Sequence, residues 1–237
     1  MTRQLLLIST STVHGSGYLD YCASEIRAFL PGAPRVLFVP YARPSGLTHD
    51  EYTQKASEKF AKIGLELVGI HAAPDPAAAV RGADALFVGG GNTFLLLNQL
   101  YSNNLMDPIR KRVADGLPYV GTSAGSNVAG ATIGTTNDMP IVYPPSFDAL
   151  RLVPFNLNPH YLDPDPHSTH RGETRETRIQ EFHSFNAQPV VGLREGAMLH
   201  VAGNSVHLQG SAGARLFRRD AAPEELVPGG RLDFLLA

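Results

Sequence analysis

Pro118-Tyr119-Val120-Gly121-Thr122-Ser123-Ala124-Gly125-Ser126-Asn127-Val128-Ala129-Gly130 is a β-branched and aromatic run that ends at a glycine, with a serine two places on and small residues behind it. This is the G-x-S-x-G pattern, in which a serine sits on a tight turn between a strand and a helix. Such a turn strains the serine backbone, so its neighbours must be small enough for strand and helix to approach. Gly121, Ala124 and Gly125 meet that demand. The hydroxyl then projects past the strand end, where the start of the helix favours developing negative charge. A glycine-rich turn with an incidental serine would look the same, so the rest of the chain must decide.

Upstream, a continuous apolar run at residues 5–8 reads as a strand buried on both faces, and the largely apolar stretches 35–40, 65–70 and 85–88 read as further strands. Helical spacing marks residues 18–30, 50–62, 106–115 and a stretch from about 94. Alternation of this kind implies parallel pairing with right-handed crossovers, an α/β fold. Cys22 falls on the apolar positions of the first helix and reads as core packing. Downstream, residues 143–166 are punctuated by prolines, too long for a casual connection and expected to be a functional loop system. A helix over 173–186 precedes short strands at 190–193, 198–201 and 206–208, expected to extend the sheet antiparallel.

A length of 237 residues, 43% of them hydrophobic and 18% charged, suits a single α/β domain over residues 1–237. Twenty basic against 22 acidic residues leave a net charge of −2, which offers no field for nucleic acid or a membrane surface. The first apolar run is too short for a signal or transmembrane segment, and one cysteine excludes an intrachain disulfide. The expectation is a cytoplasmic protein, monomer or homodimer.

A serine hydroxyl needs a base to remove its proton, and the base needs a carboxylate to orient it. His160 stands out among nine histidines because Asn158 and Pro159 fix the backbone before it. His167 and His170 form an H-x-x-H pair with no obvious third metal ligand, so no metal is expected. Asp138 and Glu195 are both candidate acids, and periodicity does not choose between them. The strand ending at Val88 runs into Gly89-Gly90-Gly91, whose backbone N–H groups could come close to a bound oxygen, either as oxyanion donors or as a tight turn alone. Arg175 shares a helical face with Ile179 and Phe182. An arginine on an apolar stripe wants a partner or a ligand.

Taken together, the stretches 88–94, 121–125, 135–141, 158–160, 172–175 and 193–196 resemble the peptidase E family of serine peptidases, the aspartyl dipeptidases, in order over nearly the whole chain. The resemblance implies a flavodoxin-like three-layer sandwich akin to class I glutamine amidotransferases, with a mostly parallel sheet and an antiparallel C-terminal extension. It further implies Ser123 as nucleophile, His160 as base, Asp138 as acid with Glu195 as the alternative, and Gly90, Gly91 and Ala124 around the oxyanion. Arg175 would bind the side chain of an N-terminal aspartate. Substrates would be small Asp-X peptides, cleaved without a cofactor. Thr122 departs from the family, where a bulky aromatic can occur. Rival readings are a cyanophycinase-like β-aspartyl peptidase and a non-catalytic amidotransferase-like binding domain.

Overall fold

A computed structural model of the chain describes residues 3–32, 35–167, 169 and 172–237. Five strands form the parallel core of the main sheet: β1 (Gln4–Ile8), β2 (Arg35–Val39), β3 (Glu66–Gly69), β4 (Ala85–Val88) and β5 (Pro118–Thr122). Their order is β3-β2-β4-β5-β1, and two antiparallel strands, β8 (Ala197–Ala202) and β9 (Ser205–Gly210), complete it beyond β1. The apolar runs alternate faces as the pleat requires. Leu5, Leu7, Leu37, Val39, Leu86 and Val88 feed one core, while Leu6, Ile8, Val36, Phe38 and Phe87 feed the other.

Helices cover both faces, which gives the three layers. The second core is closed by α1 (Ala23–Phe29) and α2 (His49–Lys62) through Ile26, Tyr52, Ala56 and Phe60. A capping box between Thr48 and Glu51 starts α2. The first core is closed by α3 (Pro76–Arg81), α4 (Thr93–Ser102), α5 (Met106–Ala114) and the one-turn α6 (Ala124–Asn127). The mostly parallel α/β fold with an antiparallel extension is therefore as the sequence implied. The first helix is shorter than its spacing suggested, because Leu19 adopts a left-handed φ of 57° that no helix can run through.

One strand goes elsewhere than expected. β7 (Val190–Leu193) does not extend the main sheet; it joins a second sheet of order β11-β10-β7-β6. Its other members are β6 (Asn156–Pro159), β10 (Ala214–Phe217) and β11 (Glu224–Leu226). Leu157, Val191, Leu193, Ala214 and Leu216 pack into the same core as the main sheet, whereas Val190 and Phe217 pack against Ile179 of α7 (Arg175–His183). β6 pairs parallel to β7 with Pro159 opposite Leu193, which brings His160, one residue past the first, and Glu195, two residues past the second, to the same edge. In the main sheet, Ile8 lies opposite Thr122, bringing Ser9 beside Ser123.

Candidate active site

Ser123 turns out of β5 with φ 52° and ψ −111°. Its N–H donates to Ile8 O across the sheet at 3.0 Å. Behind it, Ser126 Oγ ties Gly121 O (2.8 Å) to Ile8 O (2.7 Å), and Tyr119 Oη donates to Gly125 O at 2.6 Å. The glycines of the motif are steric necessities. A Cβ on Gly125 would run into the Val88 carbonyl, and one on Gly121 would sit 2.6 Å from Gly125 O. A strained residue costs about 1–3 kcal/mol, which one or two of the fully buried core side chains, at about 1.5–3 kcal/mol each, offset. The helix behind the serine is one turn long. Its help to an anion therefore comes from its first unpaired N–H groups, not from a long macrodipole.

His160 lies just past β6, also with a left-handed φ, 55°. Its Nε2 is 3.0 Å from Ser123 Oγ and its Nδ1 is 2.8 Å from Glu195 Oε1. A carboxylate only accepts, so Nδ1 carries the proton and Nε2 presents its lone pair to the serine hydroxyl. Glu195 occupies the turn where the chain leaves β7 for β8, passing from one sheet to the other. The side chains of His160 and Glu195 are 39% and 48% exposed, so water and a substrate can reach the dyad.

The two sheets are fastened at this point by Ser9, a fully buried residue at the end of β1. Its hydroxyl donates to Leu193 O (2.8 Å) and accepts from His160 N–H (3.0 Å). On the other side, the segment 135–138 is sewn to β6. Thr135 Oγ1 donates to Leu157 O, Asn158 Nδ2 donates to Thr135 O and Asn137 Oδ1, and Asn137 Nδ2 donates to Pro159 O, all at 2.7–2.8 Å.

Asp138 stands in the cleft with Ser123 and His160 but does not touch the imidazole. Its Oδ2 accepts from Thr93 N–H, at the start of α4, at 2.7 Å, and from Thr136 Oγ1 at 3.2 Å. Of the two candidate acids, Glu195 is the one hydrogen-bonded to His160. Gly90 also differs from expectation: its N–H donates to Tyr52 Oη at 3.1 Å, so it is not a free oxyanion donor. The N–H groups of Gly91 and Ala124 have no acceptor among the described residues. Gly91 takes φ 145°, and a Cβ there would strike the Ala42 carbonyl. Thr122 is fully buried and does not line the cleft.

Arg175 opens α7, half-buried, with Thr174 capping the helix before it. No hydrogen bond or ion pair to it is made among the described residues, although Glu173 pairs with the neighbouring Arg178. Burial first, and Arg178 second, hold its pKa below the usual arginine value, an effect that the charge of Asp138 opposes. A guanidinium so placed is short of an anion.

Comparison with known proteins gives this arrangement its context. The family model for peptidase family S51 matches residues 5–209. The chain belongs to peptidase family S51. A Streptomyces coelicolor protein named "Peptidase E" is 53% identical over 98% of this chain and 94% of its own length. A Drosophila melanogaster protein named "Probable alpha-aspartyl dipeptidase" is 51% identical over 99% and 98%. A solved structure of a peptidase from an acI-B1 actinobacterium shares the fold at TM-score 0.75 and 16% identity, over 98% of this chain and 97% of that one.

Within this S51 chain, the sequence reading missed Ser9, Tyr52 and Asn127. Ser9 carried a faint signal, a polar residue directly after a buried strand; Tyr52 and Asn127 carried none, since their partners lie far away in sequence. Cys22 is core as expected, and burial pushes its thiol up to about 12. His167 is exposed, and its companion His170 lies outside the described residues.

Proposed function

We propose that the chain is a serine dipeptidase that hydrolyses Asp-X peptides, with Ser123, His160 and Glu195 as its reacting set. The single observation that carries this reading is the imidazole of His160, hydrogen-bonded on one side to Ser123 Oγ and on the other to Glu195. Nε2 takes the hydroxyl proton as Oγ bonds to the aspartyl carbonyl carbon. The resulting oxyanion is received by the N–H groups of Gly91 and Ala124. His160 returns the proton to the leaving amine as the C–N bond breaks. Water, deprotonated by the same nitrogen, then attacks the ester carbonyl, and Nε2 returns that proton to Ser123 Oγ as the C–Oγ bond breaks and aspartate leaves. Glu195 holds the ring and stabilises its cationic form throughout. Every proton is accounted for by hydroxyl, imidazole and water, so the chemistry calls for no cofactor.

Arg175 is assigned the aspartyl side chain. Its unpaired, partly desolvated guanidinium supports that role, as does the name of the Drosophila relative. A neutral residue in place of aspartate would leave the guanidinium without its planar partner. Residues 1–237 are read as one peptidase domain, supported by a core cluster that runs across both sheets. A cytoplasmic site of action is supported by the lone buried thiol. Among the described residues no helix is long and apolar enough to cross a membrane.

The test is kcat/KM for Asp-Leu and Ala-Leu on the wild type and on Arg175→Ala. The wild type should favour Asp-Leu by about 10²-fold or more, and the variant should lose most of that preference. An unchanged preference rejects Arg175 as the selector, and no wild-type cleavage of Asp-Leu rejects the activity.

A further inference from the structure

With Glu195 on the imidazole, a second carboxylate stands in the cleft with no task in the acyl transfer. Asp138 uses Oδ2 for both of its hydrogen bonds, to Thr93 N–H and Thr136 Oγ1. Its Oδ1 accepts none among the described residues and is not sealed from solvent. Facing the same cleft is Asn127, only 2% exposed. Its Nδ2 donates to Leu157 O at 3.0 Å, and because a carbonyl only accepts, that bond fixes which way the amide points. Asn127 Oδ1 is consequently a buried acceptor with no donor among the described residues. Such an atom is expected where something bound completes it.

Both oxygens call for the same partner. Neither has a donor among the described residues, one carries negative charge, and the cleft they share contains Ser123. A group bearing several N–H donors and a positive charge satisfies both at once, and a primary ammonium has three such donors. We propose that Asp138 Oδ1 and Asn127 Oδ1 receive the α-ammonium of the substrate's N-terminal residue, which makes a free N-terminus a requirement of the site.

The position of Arg175 agrees with this. In an aspartyl residue the ammonium and the β-carboxylate hang on adjacent carbons, so their partners on the protein must be neighbours of opposite charge. The charge of Asp138 acts on Arg175, yet no ion pair joins the two. A zwitterionic residue between them would satisfy both. Thr93 N–H and the loop 135–138 hold Asp138 at that station, so its structural bonds and its role toward the ligand use different oxygens.

The inference rests on the aspartyl peptidase reading, and its test separates the two. Aspartyl-p-nitroanilide and succinyl-p-nitroanilide present the same carboxylate and the same scissile bond; only the first has the amine. The wild type should favour the aspartyl compound by about 10²-fold in kcat/KM. In Asp138→Asn, which keeps an acceptor for Thr93 N–H, that ratio should fall about 10- to 100-fold, the size of a charge-assisted hydrogen bond. A ratio within about threefold of wild type overturns the proposal. This includes the case in which both substrates suffer equally, as they would if Asp138 only supported the loop or the imidazole. Should the variant not fold, product inhibition of the wild type decides: L-aspartate must bind at least about tenfold tighter than succinate, and equal inhibition overturns the idea. A wild type that instead prefers alanyl-p-nitroanilide refutes the aspartyl reading alone. The ammonium inference is then read from the alanyl compound against its propionyl counterpart, by the same ratio.

Discussion

At the end of β5 the serine is held largely by its own neighbourhood: Ser126 and Tyr119 bind backbone carbonyls five and six residues away, two glycines clear the space, and the distant partner is Ile8 O on the adjacent β1. At the end of β6 the histidine is held by strangers, Ser9 at a separation of 151 residues and Glu195 at 35. One half of the site is a local device of the main sheet; the other is assembled from the second sheet and pinned across by one hydroxyl. Both halves place a non-glycine residue at positive φ, 52° for Ser123 and 55° for His160. The strain is equal in kind, but its supports differ. The serine turn needs only its own motif and the adjacent strands of one sheet, whereas the histidine is in place only when the two sheets are correctly docked.

The largest effect should come from removing the reacting atom. Ser123→Ala is expected to lower kcat about 10⁴- to 10⁶-fold with an unchanged melting temperature, read by steady-state kinetics and a thermal melt. A variant that keeps more than about a tenth of wild-type kcat would break the assignment of the local half.

Next comes the carboxylate on the far half. Glu195→Gln should lower kcat about 10²- to 10⁴-fold with a smaller change in KM, because the ring loses both its fixed tautomer and the stabilisation of its cation. A near-normal kcat would mean that the 2.8 Å contact plays no part in catalysis, which is the sharpest way to break the comparison.

The smallest expected effect probes the pin between the halves. Ser9→Ala leaves Leu193 O and His160 N–H without their partner in a buried site, at about 1–3 kcal/mol in stability. The histidine should drift, lowering kcat about tenfold while acylation of Ser123 by a small reactive ester falls less. Stability lost with kcat untouched would show that β6 and β7 position the ring without help from β1.

Much of this was legible in the sequence. Apolar runs and helical spacing gave the parallel sheet and its covering helices, because burial on both faces forces those patterns. The G-x-S-x-G spacing identified the serine turn, since its steric demand falls on residues adjacent in sequence. Asn158-Pro159-His160 drew attention to the histidine for its constrained backbone. What periodicity left open was the acid, and the resemblance put Asp138 first with Glu195 as the alternative; in the structure the parallel register of β6 with β7 brings Glu195 to the ring, while Asp138 is hydrogen-bonded to the start of α4. It also misassigned β7, whose four buried residues fit either sheet equally well when judged by pattern alone.

The sequence by itself determined the layers of the fold and the strand–turn–helix that carries Ser123, because periodicity and near-neighbour sterics act over a few residues and are written in the order of the chain. Only the tertiary structure decided which carboxylate is hydrogen-bonded to the imidazole, which glycine N–H is already taken by Tyr52, and which cleft oxygens have no donor among the described residues. Those outcomes depend on hydrogen-bond distances between segments far apart in sequence, and a difference of a few ångströms in docking two sheets selects one partner over another.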